Sequence, residues 1–173
     1  MEEIQNSKVE SYEYASIGLR FAAHLLDGII LSILSFVLQF VYSLFTISDE
    51  LYDKILILEQ NPESVSEEFA VEIFWELMPI ISFFILLLVI MCYLYYAIFQ
   101  SSKLQATPGK LACSIKVTNV NGERIGFGRA TGRFFSKSFI SSPIFMIGYI
   151  IAFFTAKKQS LHDLIAGTLV LRK

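Results

Sequence analysis

Arg20, His24 and Asp27 stand at i, i+4 and i+7, a spacing that puts all three on one face of an α-helix. At 1.5 Å per residue, Asp27 lies roughly 10 Å along the axis from Arg20. Such a set can do one of two things. It can form an internal ion pair, with Arg20 neutralising Asp27 or the distant Asp163. It can instead move protons or cations, because burial lifts a carboxyl pKa toward neutrality and an imidazole titrates there unaided. His162 and Asp163 are adjacent like a metal pair, but no further ligand stands at fixed spacing from them, so no metal site is expected. No serine or cysteine is set beside a histidine as a nucleophile would be, and neither an enzyme nor a cofactor is expected. Thr107-Pro-Gly-Lys110 lacks the first glycine and the Ser/Thr of a phosphate loop, and reads as a turn leading into a strand.

The elements that must position these residues are written in the composition. Of 173 residues 54% are hydrophobic and 17% charged, with a mean hydropathy of +0.57; a soluble domain carries more charge, so a bilayer is implied. Residues 20–45 and 77–99 are each long enough to cross a hydrocarbon core of ~30 Å, which takes about 20 helical residues. Trp75 at one end of the second run, and Tyr93, Tyr95 and Tyr96 at the other, form interfacial belts; Pro79 falls in its first turns, where a missing N–H costs least. Asp27 lies inside the first run. A charge at the bilayer centre costs ~2.5–3.5 kcal/mol, so this carboxylate must face protein, water or a cation. Gly28, Ser32, Ser35 and Gln39 form an adjoining small and polar stripe suited to close helix packing. The first run has no cleavage signal and is expected to stay in the mature chain. Cys92 and Cys113 lack redox spacing and read as packing residues. No basic tract is interleaved with aromatics, which argues against nucleic acid.

Lys54 is the lone basic residue of an acidic loop between the runs. Lys103, Lys110, Lys116, Arg124, Arg129, Arg133 and Lys137 follow the second. Basic loops stay cytoplasmic, so the N-terminus and residues 100–133 are expected inside and the acidic loop outside. Ser64 with Glu67 makes a capping-box pattern for a helix in that loop. Alternation around Asn121-Gly122 predicts a β-hairpin over 114–125, and residues 168–172 read as its third strand. Arg129, Arg133 and Lys137 recur at helical spacing among phenylalanines, as on an interfacial amphipathic helix. The last apolar run, 134–155, is read as a hairpin kinked near Ser141-Ser142-Pro143 that returns the tail to the cytoplasm, against a plain third span. Gly167 is expected to end a short helix as a left-handed cap.

Taken together, several blocks resemble the RDD family of membrane proteins, named for an arginine and two aspartates. They are Ala15-Ser-Ile-Gly-Leu-Arg-Phe-Ala-Ala-His-Leu-Leu-Asp27, Thr107-Pro-Gly-Lys-Leu, Ile115-Lys-Val, the Asn-Gly turn, Phe127-Gly-Arg-Ala, and Gln159-Ser-Leu-His-Asp-Leu-Ile-Ala-Gly-Thr-Leu-Val170. The resemblance implies that Arg20, Asp27 and Asp163 are the name-giving residues. It also implies a membrane protein for which sodium or potassium exchange against protons has been proposed in some members. His24 and the long acidic loop are less typical of the family and inherit no role from it.

The expected architecture is therefore an α-helical membrane protein with two long transmembrane helices, a kinked or hairpin-like third apolar segment and a small cytoplasmic antiparallel β cap. It forms a single domain, 1–173. Residues 1–19 are a cytoplasmic segment, 20–45 and 77–99 the spans, 46–76 the acidic extracytoplasmic loop and 100–133 the hairpin and amphipathic helix. Residues 134–155 are the third apolar segment and 156–173 a cytoplasmic tail with a strand. The site is expected at Arg20, Asp27 and Asp163, with His24, His162 and Arg133 as secondary candidates. The expected setting is the cell membrane, with the lipid bilayer, further copies of the chain as a homo-oligomer, and monovalent cations or protons as partners. The leading functional expectation is an oligomeric channel or a cation/proton-coupled transporter; the rival is an adaptor presenting its cytoplasmic cap to a partner.

Overall fold

A computed structural model describes residues 13–141 and 147–173. Two of its helices are long and apolar enough to cross a membrane. Helix α1 (Ile17–Thr46) has 30 residues and a mean hydropathy of 2.1 over its most apolar stretch; α3 (Glu67–Ser101) has 35 residues and 2.7. Almost none of either apolar stretch is buried in the protein. Phe36, Phe40, Phe45, Phe83 and Ile85 are all more than half exposed, a cost that lipid removes and water does not.

Helix α3 starts earlier than the apolar run does. The Ser66 hydroxyl accepts from the Phe69 N–H, and Glu67 and Glu68 occupy the first turn, where carboxylates favour the helix dipole. Ser66 is thus the cap, and Ser64 closes a 3-10 turn over Pro62–Ser64. Because α3 begins at Glu67, Pro79 lies in the helix interior rather than in a first turn, and the Trp75 carbonyl loses its helical donor. Helix α2 (Asp49–Gln60), capped by Ser48, fills the start of the acidic loop.

The described residues pack as two units, 30–92 and a second made from 13–29 with 93–141 and 147–173. Within residues 30–92, the Tyr42 hydroxyl donates to the Ile80 carbonyl at 3.0 Å and its ring lies against Phe83 and Phe84. Lys54 meets Glu76 at 2.7 Å, Glu72 at 2.9 Å and Glu50 at 3.4 Å. Glu76 and Glu72 hold its ammonium above the usual value.

The other unit contains the start of α1, the end of α3, α4 (Pro108–Ala112), β1 (Ile115–Asn119), α5 (Phe127–Phe135), α6 (Ile147–Phe154), α7 (Leu161–Ala166) and β2 (Thr168–Arg172). Its apolar core is Ala15, Ala23, Ile115, Val117, Ile125, Ala130 and Val170. Among the described residues the sheet has two strands, not the three expected: β1 pairs antiparallel with β2, with Val117 opposite Val170. The return arm of the hairpin is reduced to one bridge, Thr118 to Arg124, and a second isolated bridge joins Tyr14 to Leu171. The turn explains this. Asn119 Oδ1 accepts from the N–H groups of Asn121 and Glu123, and the Asn119 N–H donates to the Glu123 carbonyl. The reversal therefore spends residues 119–123 on an Asx turn, and Gly126 already caps α5. Gly167, at φ 60° and ψ 47°, ends α7 as expected.

Helix α5 passes into a π-helical stretch, Ser136–Ser141. Among the described residues no third helix is long and apolar enough to cross a membrane. The eight residues of α6 rise ~12 Å. The kink expected at Ser142 and Pro143 falls outside the described residues.

Candidate functional site

Asp163 is the third residue of α7 and is completely buried. Its Oδ2 accepts from the Arg20 Nη1 at 2.9 Å and from the Ser160 N–H at 3.2 Å, the second bond being half of a capping box. Its Oδ1 accepts from Arg133 Nε at 2.9 Å and Nη2 at 2.5 Å. The two guanidiniums reach further: Arg133 Nη1 donates to Gln100 Oε1 at 2.7 Å, and Arg20 donates to the carbonyls of Ala15 and Val170. One carboxylate thus ties α1, α3, α5, α7 and β2 together. Burial alone would raise the Asp163 pKa, but Arg133, with His162 and Arg20, holds it well below the usual carboxylate range. Burial brings the neighbouring His162 imidazole down to about 3. Asp163 opposes that shift, and Arg133, Lys137 and Lys110 reinforce it. His162 is therefore neutral, and its 3.6 Å approach to Asp163 is not an ion pair.

Asp27, 1% exposed, has another set of partners. Tyr95 Oη donates to Oδ1 at 2.8 Å, Thr107 Oγ1 to Oδ2 at 2.6 Å, and the Gly109 N–H to Oδ1 at 2.8 Å. The first N–H groups of a helix have no internal acceptor. Helix α4 begins Thr107-Pro-Gly, with Pro108 at its first position and no side-chain cap from Thr107. The carboxylate of α1 supplies the missing acceptor. Gly109 is required there: a Cβ would strike the Ala23 carbonyl oxygen and the Asp27 carboxylate. His24 lies one turn away, with Nδ1 3.4 Å from the Tyr96 hydroxyl.

Of the residues expected at the site, Arg20, Arg133, His162 and Asp163 come together, and Arg20 takes Asp163, not Asp27. Arg133 is buried, so the basic spacing on α5 marks an internal tie as well as an exposed face. A cavity of roughly 280 Å³ is lined by Arg20, His24, Asp27, Arg133 and His162, and also by Gln100, Lys110, Lys137 and apolar side chains including Phe21 and Phe134. Among the described residues no group of three or more His, Cys, Asp or Glu could hold a metal ion.

The match of the chain to the RDD family runs over residues 14–167. That range takes in every residue of both aspartate networks except Val170 and Thr168, whose hydroxyl lies 3.4 Å from Asp163 Oδ1. The chain belongs to the RDD family. This membrane family accords with the two apolar helices. An uncharacterized protein of Bacillus subtilis (strain 168), YxaI, is 33% identical over 160 residues, which is 92% of this chain and 97% of that one. No solved structure matches.

Sequence reasoning missed Tyr95, Thr107 and Gly109. The signals were present: a proline directly after a threonine is a helix start, and a tyrosine hydroxyl in an apolar span must find a partner. Thr107-Pro-Gly-Lys110, read as a strand-leading turn, is instead the first turn of α4.

Proposed function

We propose that this RDD-family chain is a multi-pass protein of the cell membrane that acts as a non-transporting adaptor, with a cytoplasmic cap that a partner docks on. One observation carries the reading: both buried carboxylates are engaged by donors of the chain itself. Asp163 pairs with two guanidiniums, and Asp27 holds α4 to α1. Each therefore acts as a fastener between segments, and neither is spare for a travelling cation. The basic residues of 100–137 support a cytoplasmic cap. Pairing of β1 with β2 supports placing both chain ends on that side, which favours a third apolar segment that returns over one that crosses.

A second reading, cation or proton-coupled transport, is favoured by a specific placement: His24 and Asp27 line the same cavity. Two spans do not enclose a pathway, so this reading requires a homo-oligomer.

Liposomes containing the purified protein, under imposed sodium, potassium and proton gradients, separate the two. The adaptor reading expects flux equal to that of protein-free liposomes. A cation flux that Asp27→Asn abolishes at an unchanged melting temperature would overturn it.

A further inference from the structure

The cavity beside the start of α1 has more positive charge than its carboxylates balance. Arg20, Lys110, Arg133 and Lys137 all contribute to its wall, with Asp27 as the single lining carboxylate among the described residues. Asp163 adds one more negative charge by pairing with Arg20 and Arg133. Among the described residues, four cations therefore face two anions. Lys137 lies over the Tyr96 ring, 4.9 Å from its centroid. Lys110 is half-buried and has no hydrogen bond or ion-pair partner in the described residues. The remaining wall mixes the polar His24, Gln100, Ser160 and His162 with apolar side chains, among which Phe21, 63% exposed, stands in the first turns of a helix long enough to cross a membrane.

We propose that this cavity binds a phosphate ester, and that the occupant is the headgroup of an anionic phospholipid. A phosphate places several acceptor oxygens among cations that already stand together, relieving their mutual repulsion. Basic pockets between membrane helices at the headgroup level bind lipid phosphates for this reason. The apolar part of the wall suits the hydrocarbon side of such a ligand, which a free inorganic anion would leave unused. Burial, and then Arg133 and Lys137, hold the Lys110 ammonium well below its usual pKa; an anion here reverses the disfavour. The site does not depend on whether cations cross the membrane, and its test reads binding alone.

The full-length protein is melted in vesicles of phosphatidylcholine, with and without phosphatidylglycerol, and in detergent with and without inorganic phosphate. Ligands that bind only the folded state raise the melting temperature, by an amount that grows with the logarithm of ligand concentration above Kd. Phosphatidylglycerol should raise it, and the rise should persist at high salt, where diffuse surface attraction is screened. Lys110→Gln should weaken the effect roughly tenfold in lipid concentration, as expected for loss of one charge-assisted contact. Lys137→Gln should do the same and carries the test if the first variant does not fold. Lys103→Gln, on an exposed position, should leave it intact. A rise of equal size in all three variants, or no rise with either probe, overturns the site. A rise with inorganic phosphate alone, lost in Lys110→Gln, supports the site and overturns its lipid source.

Discussion

Asp163 and Asp27 are buried almost equally, at 0% and 1% exposure, yet they are held in opposite ways. Asp163 is gripped by two guanidiniums, so its network is ionic and each member fixes the charge state of the next. Asp27 is gripped by two hydroxyls and one backbone N–H, so its network consists of dipoles. Burial of a charge is tolerated either by opposite charge or by enough oriented donors. Where the partners are themselves buried charges, removing one strands the others. Where they are neutral, they can turn.

The largest effect that tests this contrast is on pH. His162 belongs to the ionic network, and its folded pKa of about 3 lies below the ~6.5 of an unfolded histidine. Between those values the unfolded chain binds the extra proton. Stability is therefore full above ~6.5 and falls as pH drops toward 3, by on the order of 5 kcal/mol in total. Asp163, also depressed, contributes stability that starts to fall near the ~3.9 of an unfolded aspartate and is lost as pH drops further. Thermal melts of wild type and His162→Gln across that window should show a sloping limb in the first and a flatter one in the second. Identical slopes would place the proton elsewhere.

Next in size is the comparison of the aspartates themselves. Asp163→Asn strands two guanidiniums and should cost ~3–5 kcal/mol. Asp27→Asn keeps an acceptor for the Gly109 N–H, and the Thr107 hydroxyl can rotate to accept from the new amide, so ~1–2 kcal/mol is expected. Chemical denaturation of both variants measures the difference, and equal losses would mean that the two networks do not differ as described. A double-mutant cycle of Asp163 with Arg133 should also be strongly non-additive. The smallest change sharpens the dipolar side. Gly109→Ala drives a methyl into the Ala23 carbonyl and should cost ~1–3 kcal/mol by overpacking. A variant as stable as wild type would show that α4 can retreat from α1 without loss.

Much of this was legible in the chain because hydropathy and helical spacing are local. The two apolar runs, the Arg20–His24–Asp27 face and the Gly167 cap could be read directly. Whether Arg20 serves Asp27 or Asp163 could not. That depends on how a partner 143 residues away is brought back, which no periodicity encodes. The Asn-Gly pair suggested a two-residue hairpin, but Asn119, two residues upstream, competes for the same N–H groups and lengthens the turn. Arg133 was expected on an interfacial amphipathic helix and as a secondary site candidate, because spacing reports which side chains share a face, not which of them is drawn inward.

The hydrogen bonds on Asp27 also set an order of events during synthesis. Its donors lie 68, 80 and 82 residues later in the chain. At ~5–20 residues per second, the ribosome delivers them several seconds after the first apolar helix has emerged. During that interval Asp27 is a carboxylate in an apolar segment with nothing to hold it, at ~2.5–3.5 kcal/mol toward the bilayer centre. The nascent helix must wait at a wet boundary until Tyr95 and the Thr107-Pro-Gly turn have been made. Biogenesis of the first helix is thus completed by the translation of the second.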